Sequence, residues 1–263
     1  MNMLTKNERN AIKALRHREN RLNEKLMVVE GDKCVIELLK SSIETKRIYV
    51  TNGIEIDEIR TLAEKKMIEV TEVTSKDMVI MSSMRTAPGV LALGRTVEFS
   101  ADDVLGGMKN IQNSAIPTVM ILDDVSDPGN VGTLIRTADW FGLAGVVCSA
   151  RTADIWNPKT IQSSMGSVFR MPICTANPLD VIKRFALNAV ALDARGDNFF
   201  ESTLVPDAIV IGSESHGLSD GLIDVCDATW SIPGKGSAES LNAAIAGAIV
   251  TSELSRRLSV LGL

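Results

Sequence analysis

The sequence predicts an α/β protein in two parts, the second built on a parallel sheet. The first observation is a series of short, apolar, nearly continuous runs after residue 117: TVMILDDV (118–125), GVVCSA (145–150), NAVALDA (188–194), AIVIGSE (208–214) and TWSI (229–232). The second is what separates them, helical stretches near 132–141, 158–169, 178–187 and 218–226 and a longer one from about 239 to 260. Strands buried on both faces read as unbroken apolar runs, and helices between them cover the sheet. The third is a separate, smaller alternation of helix and strand that ends near residue 96.

In the first part, residues 5–25 carry Ile12, Leu15 and Leu22 among charges and predict one helix with a weak apolar face. Val28-Val29-Glu30-Gly31 leads into a second helix over Lys33 to Leu39. Then come strand 47–51, helix 57–67, strand 68–73, helix 76–82 and strand 89–93. Gly106-Gly107, Asn110, Asn113, Ser114 and Pro117 mark residues 97–117 as a linker. The predicted division is therefore 1–96, a linker at 97–117, and a second domain at 118–263.

With 263 residues, 45% hydrophobic and 23% charged, the chain is long enough for one large or two modest cores, and the composition excludes a fibre or a disordered tail. No apolar run approaches the roughly 18 residues of a membrane span. The charged N-terminus is not a signal-peptide pattern, so the expected address is cytoplasmic. Cys34, Cys148, Cys174 and Cys226 are widely spaced, with only His17 and His216 as imidazoles, which predicts reduced thiols and no metal site. The net charge of −5 is uneven: residues 1–110 hold 18 Lys/Arg against 17 Asp/Glu, and residues 111–263 hold 10 against 16. Seven basic side chains against three acidic ones lie in residues 1–25, the pattern of a solvated helix face or of an RNA-capturing one.

Ligands of open parallel sheets sit beyond the carboxyl ends of the strands, which directs attention to 123–133, 193–200, 212–219 and 232–242. In LDDVSDPGNVGTLIRTADWFG (122–142), Asp127-Pro128-Gly129-Asn130 has turn chemistry, Gly132 and Thr133 open a helix, and Arg136 falls one turn into it. Three aspartates here evoke magnesium, but no Gly-Lys-Ser accompanies them. In IVIGSESHGLS (209–219), glycines flank Glu214 with no dinucleotide fingerprint and no hydrolase elbow. In IPGKGSAESLNAAIAGAIVTSEL (232–254), Thr229 stands where a phosphate loop needs its first glycine, and the small residues of AAIAGAI suit either close helix packing or an ordinary core.

Taken together, the three segments resemble in order and spacing the motifs of the SpoU (TrmH-like) family of SPOUT-class RNA 2′-O-ribose methyltransferases: D-P-x-N-x-G-x-x-x-R-T-A-x-x-F-G, G-x-E-x-x-G-L-S and I-P-x-x-G-x-x-x-S-L-N. The resemblance covers about residues 118–254. It implies a parallel-sheet domain threaded into a trefoil knot, a homodimer, an RNA substrate, and S-adenosylmethionine as methyl donor, with no metal. The first part resembles the ribosomal-protein-like substrate-binding domain that precedes many members, and this two-domain layout favours ribosomal over transfer RNA. The resemblance places Asn130, Arg136, Glu214, Ser240 and Asn242 in the active site, and Gly212, Ile232 and Leu241 against the cofactor. Arg136 is expected to bind phosphate and stabilise the developing oxyanion, and Glu214 to hold Arg136 or the turn of the third motif. The chain departs from the family at Gly234, usually apolar, and at Ala243-Ala244. Two rival readings are a non-catalytic RNA-binding or ribosome-assembly protein that retains the knotted fold, and a small-molecule α/β enzyme.

Overall fold

The computed structural model describes residues 4–106, 108 and 116–261. The early elements are α1 (Lys6–Ala14), α2 (Arg18–Glu24), β1 (Leu26–Glu30), α3 (Asp32–Lys40), β2 (Thr45–Thr51), α4 (Asp57–Lys65), β3 (Val70–Val73), α5 (Ser75–Met81) and β4 (Val90–Arg95). They continue with α6 (Ala101–Gly106), β5 (Ile116–Leu122), α7 (Pro128–Phe141), β6 (Leu143–Cys148), α8 (Pro158–Ser164), β7 (Ile173–Thr175) and α9 (Pro178–Phe185). The last are β8 (Ala189–Asn198), β9 (Ala208–Ile211), α10 (Asp220–Ile223), β10 (Ala228–Ser231) and α11 (Ala243–Leu261). The chain forms two compact units, one running to Val97 and including Asp154–Arg170, the other made of Glu98–Ala153 and the residues from Met171 onward.

The first unit has a sheet of order β1-β4-β2-β3, in which β4 runs antiparallel to both neighbours and β2 and β3 are parallel. Ile12, Leu15, Val28, Tyr49, Met78, Met81 and Leu91 fill its core. The single helix expected over 5–25 is two helices, because side chains of the second take up the carbonyls at the end of the first. Asn20 donates to Ala14 O at 2.9 Å, and Arg21 donates to Leu15 O at 2.7 Å and Arg16 O at 2.8 Å. Arg21 is buried, and its Nε also reaches Asp154 Oδ2 at 2.8 Å, which ties the 154–170 segment to this unit. β1 was not expected as a strand, since Glu30 interrupts its apolar run. That carboxylate is buried and accepts hydrogen bonds from the Ser82 and Ser83 hydroxyls and from Ser83 N at 3.0 Å.

The second unit holds an all-parallel sheet of order β10-β8-β9-β5-β6-β7. Every residue of β6 and β9 is buried, as their unbroken apolar sequences require. The expected linker is corrected at its front: residues 101–106 form α6, whose Val104 and Leu105 enter the core of this unit. Val104 packs so closely on β6 that a Cβ at Gly145 would lie 2.6 Å from it. Gly107, Asn110, Asn113 and Ser114 of that stretch lie outside the described residues. The short edge strand β7 was also not expected, three residues being too few to show a period. The chain winds from β5 to β6 and β7 on one side, then crosses to β8, β9 and β10 on the other, so the strand order switches at β5/β9. No described helix is long and apolar enough to cross a membrane.

Candidate active site

The first motif forms the start of α7, and it begins earlier than expected. Asp127 caps it by accepting Asn130 N at 2.9 Å, and Pro128 occupies the first helical position, where its missing N–H costs nothing. Asp-Pro-Gly-Asn is therefore a helix cap with its first turn. Gly132 and Thr133 do not open the helix, and Arg136 lies two turns in. At about 100° per residue, the six residues from Asn130 to Arg136 leave the two side chains on different faces. Accordingly Glu214 does not hold Arg136. Arg136 is exposed and has no hydrogen-bond or ion-pair partner among the described residues.

Glu214 instead accepts a short hydrogen bond from Asn130 Nδ2, and Asn130 Oδ1 accepts from Asn242 Nδ2 at 3.1 Å. Asn242 in turn caps α11, its Oδ1 accepting Ala244 N at 3.0 Å and Ile245 N at 3.3 Å. One chain of side-chain hydrogen bonds thus joins the three motifs and fixes which end of the Asn130 amide faces which neighbour. The helices behind it pack tightly through the small residues of the third motif: a Cβ at Gly247 would lie 2.4 Å from Leu134 of α7 and 2.8 Å from Ile211 of β9.

Beside this chain lies a cleft of about 590 Å³ lined by Gly212, Glu214, Ile232, Ser240 and Leu241. Asn130, Arg136 and Asn242 are not among its lining residues, so the eight residues singled out by sequence divide into the cleft group, the hydrogen-bond chain that meets it at Glu214, and Arg136 on its own. Gly212 makes a close approach: a Cβ there would sit 2.6 Å from Gly217 C. Gly234 lines the cleft with open space around its Cα, so the apolar side chain usual in the family is replaced by extra room.

Among the cleft residues that sequence reasoning missed are Asp193, Trp230 and Glu239. Asp193 was findable, since it ends the apolar run of β8 within a segment flagged for inspection. Hydrogen bonds from the Arg195 guanidinium hold its carboxyl below the usual carboxylate range. Trp230 is buried and stacks at a tilt on Phe199, 5.1 Å between ring centroids. The lining therefore offers the carboxylates of Glu214 and Glu239, and that of Asp193 already paired with Arg195, over apolar walls from Leu192, Ile211, Ile232 and Leu241. That charge balance suits a cationic ligand with an apolar body, and a sulfonium donor that also carries an ammonium group is one. Among the described residues no group of three or more His, Cys, Asp or Glu is placed to hold a metal ion.

Comparison with known proteins accords with this geometry. Residues 117–252 match the SpoU rRNA Methylase family, and residues 7–92 match the MRM3-like substrate binding domain. An uncharacterized tRNA/rRNA methyltransferase of Mycolicibacterium smegmatis is 32% identical over 264 residues, covering 96% of this chain and 83% of the relative. One from Mycolicibacterium gilvum is 31% identical over 241 residues, covering 88% and 76%. The solved structure of an AdoMet-bound rRNA methyltransferase from Sinorhizobium meliloti superimposes with a TM-score of 0.82 at 29% identity, over 98% of this chain and 97% of that one. With the three motifs joined at one site on an all-parallel sheet and a family match over more than half its length, the chain belongs to the SpoU rRNA methylase family of the SPOUT class.

Proposed function

We infer that the protein is an S-adenosylmethionine-dependent RNA 2′-O-ribose methyltransferase. The observation that carries this is the Asn242–Asn130–Glu214 hydrogen-bond chain, which brings all three family motifs to the rim of one acid-lined cleft. Bound S-adenosylmethionine supplies a methyl group already activated on sulfur, so the protein's task is to place a ribose hydroxyl in line and ease the loss of its proton. Gly212 lets the ligand approach the backbone, Ile232 and Leu241 give apolar contact, and Glu214 and Glu239 offset its positive charge. Asn130, with its amide oriented from both ends, keeps a second Nδ2 hydrogen for the ribose, and Ser240 and Asn242 provide further neutral hydrogen bonds. Arg136 binds the adjoining phosphate and stabilises negative charge growing on the 2′-oxygen. A guanidinium keeps its proton at any pH the enzyme meets, so the proton leaves to substrate phosphate or water.

The RNA is ribosomal rather than transfer RNA, and the residues before 97 select its shape while those after 117 hold the cofactor. Supporting this are the two separate family matches and the exposed cations Lys6, Lys13, Arg18 and Lys25 in the first unit. The enzyme works as a homodimer with its chain knotted through the cofactor loops. Support for the dimer is the exposure of large apolar side chains on two helices that pack together, Trp140 of α7 at 80% and Ile245 of α11 at 52%. The decisive experiment maps 2′-O-methylated nucleotides in ribosomal and transfer RNA from cells with and without the gene. A position lost in ribosomal RNA on deletion and restored by the purified protein with S-adenosylmethionine is the expected result. Loss confined to transfer RNA would move the substrate, and no loss in either would favour a non-catalytic RNA-binding role.

A further inference from the structure

A second cavity, of about 880 Å³, opens at the carboxyl ends of β5, β6 and β9, where the strand order switches. The switch point of a parallel sheet is where such folds hold ligands, yet the acid-lined cleft lies to one side of it, at the ends of β8, β9 and β10. One turn separates the two cavities. Ser213 and Gly217 line both, and Gly217 N donates to Ser213 O at 2.8 Å to close the turn. Within it Glu214 faces the cleft while the next two residues, Ser215 and His216, face the second cavity.

The chemistry of this cavity is specific. Its walls include Pro178, Leu179, Leu218 and Leu222, an apolar bed for a flat ring. Its polar side carries two carboxylates, Asp123 and Asp124, with one guanidinium, Arg151, the His216 imidazole and the Asn177 amide. Asp124 is held rigidly: its N–H donates to Ser149 Oγ at 2.9 Å, the same hydroxyl donates to Asp124 Oδ1 at 2.7 Å, and Arg151 makes a short bond to Oδ2. Burial and the neighbouring Asp124 charge both push the Asp123 carboxyl up, whereas, against its own burial, hydrogen bonds from Ser149 and Arg151 hold the Asp124 carboxyl down, so Asp123 is the carboxylate with fewer donors. An anion, phosphate included, is disfavoured here. A planar group that brings amino hydrogens is favoured, and carboxylates read exocyclic amines of nucleobases in this way.

The position fits the same partner. Asp123 begins the loop that leads into the first turn of α7, where Asn130 bonds Glu214 on the shared turn. A ribose at Asn130 and Glu214 carries its base one glycosidic bond away. We propose that the second cavity holds the base of the nucleotide being methylated, and that Asp123 and Asp124 select a base with an exocyclic amine over uracil, whose carbonyl oxygens would face the carboxylates. This rests on the RNA methyltransferase reading given above.

Cytidine and uridine 5′-monophosphates, alike except around ring position 4, test it. Each is titrated into protein saturated with S-adenosylhomocysteine and followed by saturation-transfer NMR of the nucleotide. The wild type is expected to bind the cytidine nucleotide about tenfold more tightly. Asp123→Asn and Asp124→Asn each turn an acceptor-only group into one that also donates, and should abolish or reverse that preference. Arg151→Ala, at a side chain 85% exposed, removes a competitor for Asp124 without touching the core and should keep or widen it. Equal affinity of the wild type for the two nucleotides overturns the proposal, as does a preference that both Asn variants retain. Calorimetry separates the two levels of inference: absence of S-adenosylhomocysteine binding overturns the methyltransferase reading itself, whereas normal binding without base preference overturns the base cavity alone.

Discussion

Arg136 is exposed and has no hydrogen-bond or ion-pair partner among the described residues. A side chain that supports nothing can be removed without harming the fold, so Arg136→Ala is expected to melt like the wild type and to keep its cofactor affinity. Single-turnover methyl transfer at saturating RNA and cofactor should fall by about 100-fold or more, the scale of a lost transition-state contact. Arg136→Lys keeps the charge without the planar fork, and should restore RNA binding far better than turnover. A near-wild-type rate for Arg136→Ala would shift the catalytic role to Glu214 and Asn242. Gly212 makes the opposite case, because a Cβ there meets backbone at 2.6 Å. Gly212→Val is expected to lose S-adenosylmethionine binding in calorimetry, and unchanged affinity would place the cofactor elsewhere. The residue types of the site were legible in the sequence, but their partnerships were not. Asn130, Glu214 and Asn242 are 84 and 112 positions apart in their contacts, beyond any local pattern. The basic excess near the N-terminus was likewise only partly available for RNA: Arg9 pairs with Asp77 at 2.6 Å, Arg16 donates to Ile80 O at 3.0 Å, and Arg21 is buried against Asp154.

Among the secondary-structure elements, the strands flanked on both sides were the most readable. β5, β6 and β9 are buried along almost their whole length, and their sequences carry nearly unbroken apolar runs. β1 was hidden by Glu30, a charge tolerated in the interior because two serines satisfy it. The start of α7 was hidden because Pro, Gly and Asn serve turns and first helical turns alike. The pairing of α7 with α11 depends on the missing side chain at Gly247. Gly247→Leu should force the helices apart and lower stability by about 1–3 kcal/mol, seen as an earlier denaturation midpoint, and by pulling on Asn242 it should also weaken methyl transfer. An unchanged midpoint would mean that the helices yield at no cost. Arg21 is the corresponding test for α2: Arg21→Leu leaves Asp154 beside a side chain that cannot neutralise it, with an expected loss of about 3–5 kcal/mol. A loss under 1 kcal/mol would show that Asp154 finds water instead.

At the level of the whole molecule, Asp154–Arg170 leaves the second unit, joins the first and returns. The sequence-based division at 97–117 contained no hint of this, because α8 has the same helical pattern whichever unit buries it. Ile161, Val168 and Phe169 on this excursion are buried, and Arg170 reaches Glu37 at 2.6 Å. A chain cut to residues 98–263 would strip these groups of their cover. It is expected to bind a hydrophobic dye and aggregate, while a version with Ile161, Val168 and Phe169 replaced by polar residues should stay dispersed. Clean folding of the unmodified fragment would show that the excursion is accessory to the first unit. The same excursion has a consequence for biosynthesis. A ribosome that has made the chain to Val97 has not yet made all that the first unit contains, since 73 further residues, Arg170 the last of them, must still be added. At about 5–20 residues per second that is a wait of roughly 4–15 s, during which β5, α7 and β6 are synthesised in between. The nascent N-terminal unit therefore matures alongside the first strands of the catalytic sheet rather than before them, and chaperone contacts in that interval are expected to fall on the surface that α8 later covers.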